Sequence, residues 1–332
     1  AGALLAAPGR AHTVAPTALE LRAGAYDYFL VADQGTCAAN ITITTDRPDL
    51  LDICVYGGSG AICGCGNNSA SAAAISEIFY VCAAATAANG SPWQGPQTAT
   101  ITVCWAGFGT DINGNPCTED NCGQGAPVLV SVLVTPDPLS TGHQVTSGRT
   151  PDPIDTRTGE LFFTEPPDLF VRGPLALVFQ RYYASALQSD GNASSDLGPN
   201  WLHNFSWKLA FKGNNAEVVT PRGRVLLFEK PPLTGFNGYA LLAPQDQPYE
   251  LLGGAAEYRL GEGASGLVYV FDLAGRLARI EDASGNQLDL TYVNGRLAQV
   301  SDGLGRALAF TYLGNGRLDT VGDGSRTVAF GY

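Results

Sequence analysis

Short runs in which apolar and polar residues alternate recur along the whole chain, with turn-forming residues between them. In the C-terminal part, Leu288, Leu290 and Tyr292 fall on one face of a predicted strand, and the positions between them are polar. A period of two is typical of an antiparallel strand with one packed face and one solvated face. No helical period is sustained, and the nearest helical candidate, residues 70–74, is too short. The pattern therefore predicts an all-β chain.

The N-terminal part contains a series of short strand candidates, each rich in β-branched or aromatic residues and bounded by turn signals. They are residues 18–22, 26–32, 40–45, 51–56, 75–83 and 98–105. A further apolar strand at 128–134 is followed by Pro and Gly, which indicates a linker at 136–150. We therefore predict a β-sandwich over residues 17–135, preceded by an N-terminal tail or processed signal remnant at 1–16.

A repeated phrase marks the C-terminal part. Gly-Arg-Leu occurs three times, at steps of 20 and 21 residues, as Gly275-Arg276-Leu277, Gly295-Arg296-Leu297 and Gly316-Arg317-Leu318. A period of this size predicts stacked hairpin units that bury their apolar faces only against one another. We assign the glycines and arginines of the phrase to turns. The arginines are interpreted as turn-end groups that bond carbonyls or pair with a nearby Asp, with an anion-binding ladder as the alternative.

The cysteines are confined to the N-terminal part. All eight precede residue 123: Cys37, Cys54, Cys63, Cys65, Cys82, Cys104, Cys117 and Cys122. An even number in a β-rich, acidic chain predicts a disulfide framework formed in an oxidising compartment. A metal site is the competing interpretation, but the spacing of zinc ribbons is missing. For one pair, Cys117–Cys122, we predict a bond, because four intervening residues, with Asp120 among them and Pro116 just before Cys117, can close a small loop.

The charge of the chain argues against some partners, while one segment leaves calcium binding as an alternative. The chain has 31 acidic and 19 basic residues without a basic stripe, which argues against nucleic-acid binding. No apolar stretch is long enough to span a membrane. Asp111, Asn113 and Asn115 alternate as calcium ligands do, but Pro116 and Cys122 occupy positions where an EF-hand needs Gly and Glu. We interpret this segment as a disulfide-closed surface loop with calcium as the alternative, and expect no other cofactor.

Candidate modification and catalytic residues are few. Acceptor sequons for N-glycosylation begin at Asn40, Asn67, Asn89, Asn192 and Asn204. The three histidines, His12, His143 and His203, lie in no recognisable catalytic motif, and no nucleophile elbow or phosphate-cradling loop is present. We therefore expect a protein that is not an enzyme.

Two segments resemble known families. The runs at 26–31, 41–43 and 52–56 give residues 17–122 a resemblance to the bacterial pre-peptidase C-terminal domain, a secreted β-sandwich. From residue 151 onward, the runs at 152–160, 172–177, 179–183 and 197–204 resemble the first segment of Rhs/YD-repeat proteins. The run at 270–277 resembles their repeat. The resemblance implies an Rhs-type lead-in segment at 151–210 and a YD-repeat β array at 211–332, with His203 at a structural position.

These features favour a secreted bacterial structural protein, located outside the cell or on its surface. We expect it to self-assemble with copies of itself, into a filament by strand addition in which the N-terminal stretch or residues 128–134 of another copy supply the strand, or to mediate adhesion. The alternative is the N-terminal shell fragment of a longer Rhs-type toxin-delivery or contact-inhibition protein; neither the self-cleavage motif nor the toxin of that family is in this chain. A further alternative, suggested by the periodic aromatic residues, is an adhesin that binds surface glycans.

Overall fold

The computed structural model describes residues 12–33, 37–55, 69–74, 76–89, 93, 95–110, 116–117, 120–121, 126–135, 153–155, 158–190, 196–231, 237–243 and 248–332. Every regular element in these ranges is a strand, which confirms the all-β prediction. The chain divides into two compact units, residues 1–137 with 212–214, and residues 138–211 with 215–332.

The first unit is a β-sandwich. Its strands are β1 (His12–Ala15), β2 (Ala18–Arg22), β3 (Tyr26–Asp33), β4 (Ala38–Thr45), β5 (Leu51–Val55), β6 (Ser69–Ala74), β7 (Ser76–Ala83), β8 (Gln97–Phe108) and β9 (Val128–Thr135). One sheet has the order β1-β3-β7-β5 and the other β2-β9-β8-β4-β6. Alternate residues of both sheets, among them Phe29, Phe79, Ile41 and Ile101, meet in one core and are fully buried.

Two strands of this unit depart from the sequence predictions. Strand β1 lies inside the predicted tail, where it pairs with β3, and the Thr13 hydroxyl donates a hydrogen bond to the Ala32 carbonyl at 3.1 Å. Strand β6 was the nearest helical candidate. It is made of Ser and Ala and pairs with β4 at the sheet edge. In both places pairing with a neighbouring strand stabilises an extended segment whose own side chains give a weak strand signal.

The predicted Cys117–Cys122 bond is wrong, because Cys117 pairs with Cys37. Ala38 at the start of β4 lies opposite Phe108 at the end of β8, so the pairing of these strands brings Cys37 next to the segment that follows β8. Cys54, Cys82 and Cys104 are also disulfide-bonded, and none of the described cysteines is free. Cys63, Cys65 and Cys122 lie outside the described residues.

The second unit is built around one large sheet. Its strands are β10 (Phe162–Thr164), β11 (Leu169–Val171), β12 (Leu177–Phe179), β13 (Arg181–Ala184), β14 (Trp201–His203), β15 (Lys208–Lys212), β16 (Asn215–Val219), β17 (Val225–Glu229), β18 (Gly238–Ala243), β19 (Tyr249–Gly253), β20 (Tyr258–Glu262), β21 (Leu267–Phe271), β22 (Leu277–Glu281), β23 (Gln287–Val293), β24 (Arg296–Ser301), β25 (Ala307–Tyr312), β26 (Leu318–Gly322) and β27 (Thr327–Ala329). Strands β15 to β27 form a 13-stranded sheet in chain order. The boundary predicted between residues 210 and 211 therefore falls inside β15, which belongs to the sheet.

The lead-in segment covers one face of this sheet. Strands β10, β13 and β14 form a small sheet, and β11 and β12 form a hairpin. Leu177 and Phe179 of β12 are fully buried in the core that also contains Phe271, Leu277 and Val321 of the array. The predicted one-sided packing is present, since Leu288 and Leu290 are buried while Gln287 and Thr291 are exposed.

A β-bulge recurs at the same place in each repeat. The register shifts between Val270 and Phe271, between Thr291 and Tyr292, and between Thr311 and Tyr312. After each shift the aromatic residue lies opposite the Leu of the Gly-Arg-Leu phrase, and one residue of the partner strand is left without a partner. Because a bulge bends its strand and increases the local twist, a bulge in every repeat adds bend and twist to the sheet at regular intervals.

Candidate functional site

Each Gly-Arg-Leu phrase is joined to an aromatic residue further along the chain. The guanidinium group lies over a tyrosine ring, and the hydroxyl of the same tyrosine donates a hydrogen bond to the Leu carbonyl. The ring distances are 5.0 Å for Arg276 and Tyr292, 5.6 Å for Arg296 and Tyr312, and 4.6 Å for Arg317 and Tyr332. The hydrogen bonds are 2.8 Å from Tyr292 to Leu277, 2.9 Å from Tyr312 to Leu297, and 2.7 Å from Tyr332 to Leu318. This arrangement, called here the Arg–Tyr unit, repeats through the array.

Two glycines of the Gly-Arg-Leu phrases lie so close to neighbouring atoms that no side chain would fit. Gly275 has a positive φ of 78°, and a Cβ there would meet the Leu209 carbonyl oxygen at 1.9 Å. Gly316 has a φ of 90°, and a Cβ there would meet the guanidinium of Arg296. The absence of a side chain thus lets β15 approach the first repeat, and lets Arg296 lie across the next turn.

Four turns of the array are organised by an aspartate. In each case one carboxylate oxygen accepts hydrogen bonds from two backbone N–H groups of the turn, while the other accepts from a side chain. The four are Asp272 with Arg276, Asp282 with Asn286, Asp302 with Arg306, and Asp323 with Arg326. Burial alone would raise the pKa of Asp272, but the hydrogen bonds from Arg276 and Ala274 outweigh it and hold this pKa below its usual value.

The turn arginines also fasten the lead-in hairpin to the array. Arg306 donates to the Arg172 carbonyl, and Arg326 donates to the Phe170 carbonyl at 3.0 Å. Phe170 lies in β11 and Arg172 directly follows this strand, so two turns of the array bond alternate carbonyls of one segment. Gly173 follows directly, and a Cβ there would clash with the guanidinium of Arg306. In these two cases the arginine bonds a carbonyl and pairs with an Asp of its own turn.

His203 is placed in the core. Its ring contacts Phe179, Phe205 and Phe310, its Nδ1 accepts a hydrogen bond from the Phe205 N–H at 3.3 Å, and its Nε2 lies 3.5 Å from a carboxylate oxygen of Asp196. Because Nδ1 accepts a hydrogen bond, Nε2 is the nitrogen that bears a proton towards Asp196. His12 is also buried, against Trp105. His143 lies outside the described residues.

A cleft of about 330 Å³ opens where the lead-in segment meets the first two Arg–Tyr units. Its lining includes Asp196, Lys208, Arg276, Arg296 and the two tyrosines Tyr292 and Tyr312. Burial raises the pKa of Tyr292 to about 12, against the opposing effect of the Arg276 charge, so this hydroxyl stays protonated and keeps its bond to Leu277. The cleft combines cationic side chains with tyrosines that are fixed in place.

The comparisons with known families agree with this geometry. A family model described as the RHS repeat matches residues 271–307, and one described as a domain of unknown function (DUF6531) matches residues 151–228. The second unit is therefore of the Rhs/YD-repeat type. The repeat match runs from the bulge at the end of β21 to the start of β25 and so contains the first complete Arg–Tyr unit. No curated protein matches the chain.

Other predicted sites of this YD-repeat protein fall in different places. Asn40 and Asn89 are exposed, whereas the Asn204 side chain bonds the Val178 carbonyl and the Gln180 N–H. Asn67, Asn192 and the calcium candidates Asp111, Asn113 and Asn115 lie outside the described residues. Within the part that the structure does describe, no cluster of His, Cys, Asp or Glu could hold a metal ion, and no helix is long and apolar enough to cross a membrane.

The sequence analysis missed two sets of residues in the YD-repeat array. It did not connect the arginines to their tyrosines, although the constant Leu-to-Tyr spacing of the first two units was a readable signal. It also missed a ring of ion pairs in which Arg259 and Arg279 both contact Glu257 and Glu281. Arg259 and Arg279 lie on the two strands that flank β21, each opposite Val270. The ion pairs therefore surround Val270, which is only 1% exposed. No local sequence pattern indicates this cross-strand ring.

Proposed function

We propose that this YD-repeat protein is a non-enzymatic structural protein of the bacterial cell exterior, and that its array joins other copies of the chain by strand addition. The observation that carries the proposal is the border of the 13-stranded sheet. Strand β27 closes the sheet order and is hydrogen-bonded to β26 alone among the described strands. An edge strand presents unpaired N–H and C=O groups, which are a template for a strand from another chain.

The backbone directions identify the groups at this border. The Asp323 N–H donates to the Arg326 carbonyl, and the Phe330 N–H donates to the Asp319 carbonyl, so Arg326 and Phe330 face β26. Because backbone groups alternate along an antiparallel strand, those of Thr327 and Ala329 face the open border. Both residues are exposed.

The polar side chains of the array bond other groups of the same fold, which also supports a structural role. Its turn aspartates bond their own turns, and its arginines lie over tyrosines or bond the lead-in hairpin. The adhesin alternative has less support, because Tyr269, Phe271 and Phe310 of the aromatic series are buried. Strand β9 is paired on both sides, with β2 and β8, so residues 128–134 are not available to supply the added strand.

The test is a proline at the open border. Ala329→Pro removes the outward N–H and leaves the bonds to β26 in place, and proline is tolerated at such positions. We expect the unmodified protein to form oligomers or filaments in electron microscopy and light scattering, and Ala329→Pro to remain monomeric. Ala329→Ser keeps the N–H and is the matched control. A monodisperse unmodified protein at high concentration, or equal assembly of the proline variant, would contradict the proposal.

A longer shell of the toxin-delivery type is the second candidate. The same border would suit a further repeat of the array, and the family matches cover both a lead-in segment and repeats. Mass spectrometry of the protein from its native source distinguishes the two functions. A native chain with additional repeats after Tyr332 and a cleavage motif would favour the shell.

A further inference from the structure

The cleft beside the first two Arg–Tyr units contains cations that the fold does not neutralise. Arg276 pairs with Asp272 of its own turn, and Asp196 lies against His203. Lys208 and Arg296 also line the cleft, and neither contacts a carboxylate within the described part of the chain. Both are exposed. In a chain with a net charge of −12, this cleft is a local concentration of positive charge.

The sequence of the second repeat explains why Arg296 has no carboxylate partner among the described residues. The turn before Arg276 begins with Asp272, which binds the guanidinium. The corresponding turn before Arg296 runs through Val293 and Asn294 and has no carboxylate. The aspartate is missing, but the arginine is retained and lines the cleft.

Arg296 is held in a fixed orientation. Its guanidinium lies over the Tyr312 ring at 5.6 Å and passes across the bare backbone of Gly316. Tyr312 is in turn fixed by its hydrogen bond to the Leu297 carbonyl. A guanidinium that stacks through its face keeps its N–H donors in its own plane, where they can bond a carboxylate through two parallel hydrogen bonds.

We propose that this cleft binds an acidic protein segment, whose carboxylates are taken by Arg296 and Lys208. The cleft volume of about 330 Å³ is within the range of small-ligand sites and accommodates a few side chains. A peptide fits better than an acidic sugar, because Arg276 and Arg296 already cover a face of Tyr292 and of Tyr312. A sugar ring would need such a face for stacking.

The test measures binding of a fluorescein-labelled oligoglutamate peptide to the full chain by fluorescence anisotropy. We expect binding that weakens as salt is added, since both partners are exposed charges. The double variant Lys208→Gln/Arg296→Gln is expected to weaken it by about tenfold or more, and Arg296→Lys by less, because charge remains but the planar fork is lost.

The matched control is Arg172→Gln/Lys230→Gln, which removes the same charge from two exposed side chains that do not line the cleft. Its affinity should stay within about twofold of the unmodified protein. If the cleft double variant is unfolded in a thermal melt, the single variant Lys208→Gln decides, since that exposed side chain makes no hydrogen bond or ion pair with a described residue. No binding by the unmodified protein, equal losses in both double variants, or tighter binding of polygalacturonate than of oligoglutamate would overturn the proposal.

Discussion

At the scale of single residues, the tyrosines hold the repeats together through both the ring and the hydroxyl. In the first unit, the Tyr292 ring lies under Arg276 and its hydroxyl bonds the Leu277 carbonyl of the preceding strand. The bulge before Tyr292 places it opposite Leu297 of the following strand. One side chain therefore contacts the phrases of two successive repeats, and its loss affects the junction between them.

Replacement of Tyr292 by Phe isolates the contribution of the hydroxyl. The ring and its contact with Arg276 remain, while the Leu277 carbonyl loses its donor. We expect the free energy of unfolding of the array to fall by about 1 kcal/mol, measured by urea denaturation. Tyr239→Phe is the control, because the Tyr239 hydroxyl makes no hydrogen bond to a described residue and its ring also packs against the core. Equal losses in the two variants would show that the Leu277 bond contributes nothing.

At the scale of elements, the turns determine how the array responds to acid. Hydrogen bonds to the carboxylates hold the pKa of Asp272, Asp282, Asp302 and Asp323 below the usual value. A carboxylate whose pKa is lower in the folded state stabilises the fold fully above its unfolded pKa. That stabilisation is lost as the pH falls through the folded pKa. The array should therefore weaken only in the acid range.

The corresponding experiment compares Asp272→Asn with the unmodified protein between pH 7 and pH 2. The unmodified array should lose stability below about pH 4, as these carboxylates become protonated. Asp272→Asn should be less stable at pH 7 and show a shallower loss in acid, because the amide keeps an acceptor oxygen but never carries the charge. Asp289→Asn, in a strand rather than a turn, is the control. Parallel pH curves for the Asp272 variant and the unmodified protein would rule out this role.

The same scale shows what the sequence could predict. Strand β2 begins and ends at the predicted residues, because its apolar alternation is clear and turn signals flank it. Strand β6 was missed, because a Ser/Ala run has little preference of its own and is extended only through its pairing with β4. The Arg–Tyr contacts could not be derived from the repeat period alone, since they depend on the bulge that sets which residues of successive strands meet.

At the scale of the whole molecule, the two units depend on different sources of stability. The first unit contains the Cys37–Cys117 bond across a sequence separation of 80 residues, and further bonds at Cys54, Cys82 and Cys104. All eight cysteines precede residue 123, so the second unit contains none. Its stability comes from the core between the lead-in segment and the array, together with the repeated turns. Loss of the disulfides should therefore lower the stability of the first unit alone.

Calorimetry of the full chain tests this separation with the double variant Cys37→Ala/Cys117→Ala. A bond that closes so long a loop restricts the unfolded chain, and its loss should cost the first unit about 4 kcal/mol. We expect one thermal transition to move down and a second, assigned to the array, to stay in place. Reducing agent should reproduce the shift in the unmodified protein, whereas Tyr292→Phe should move only the second transition. If both transitions move in the cysteine variant, the units do not unfold separately and the modular account of the chain is wrong.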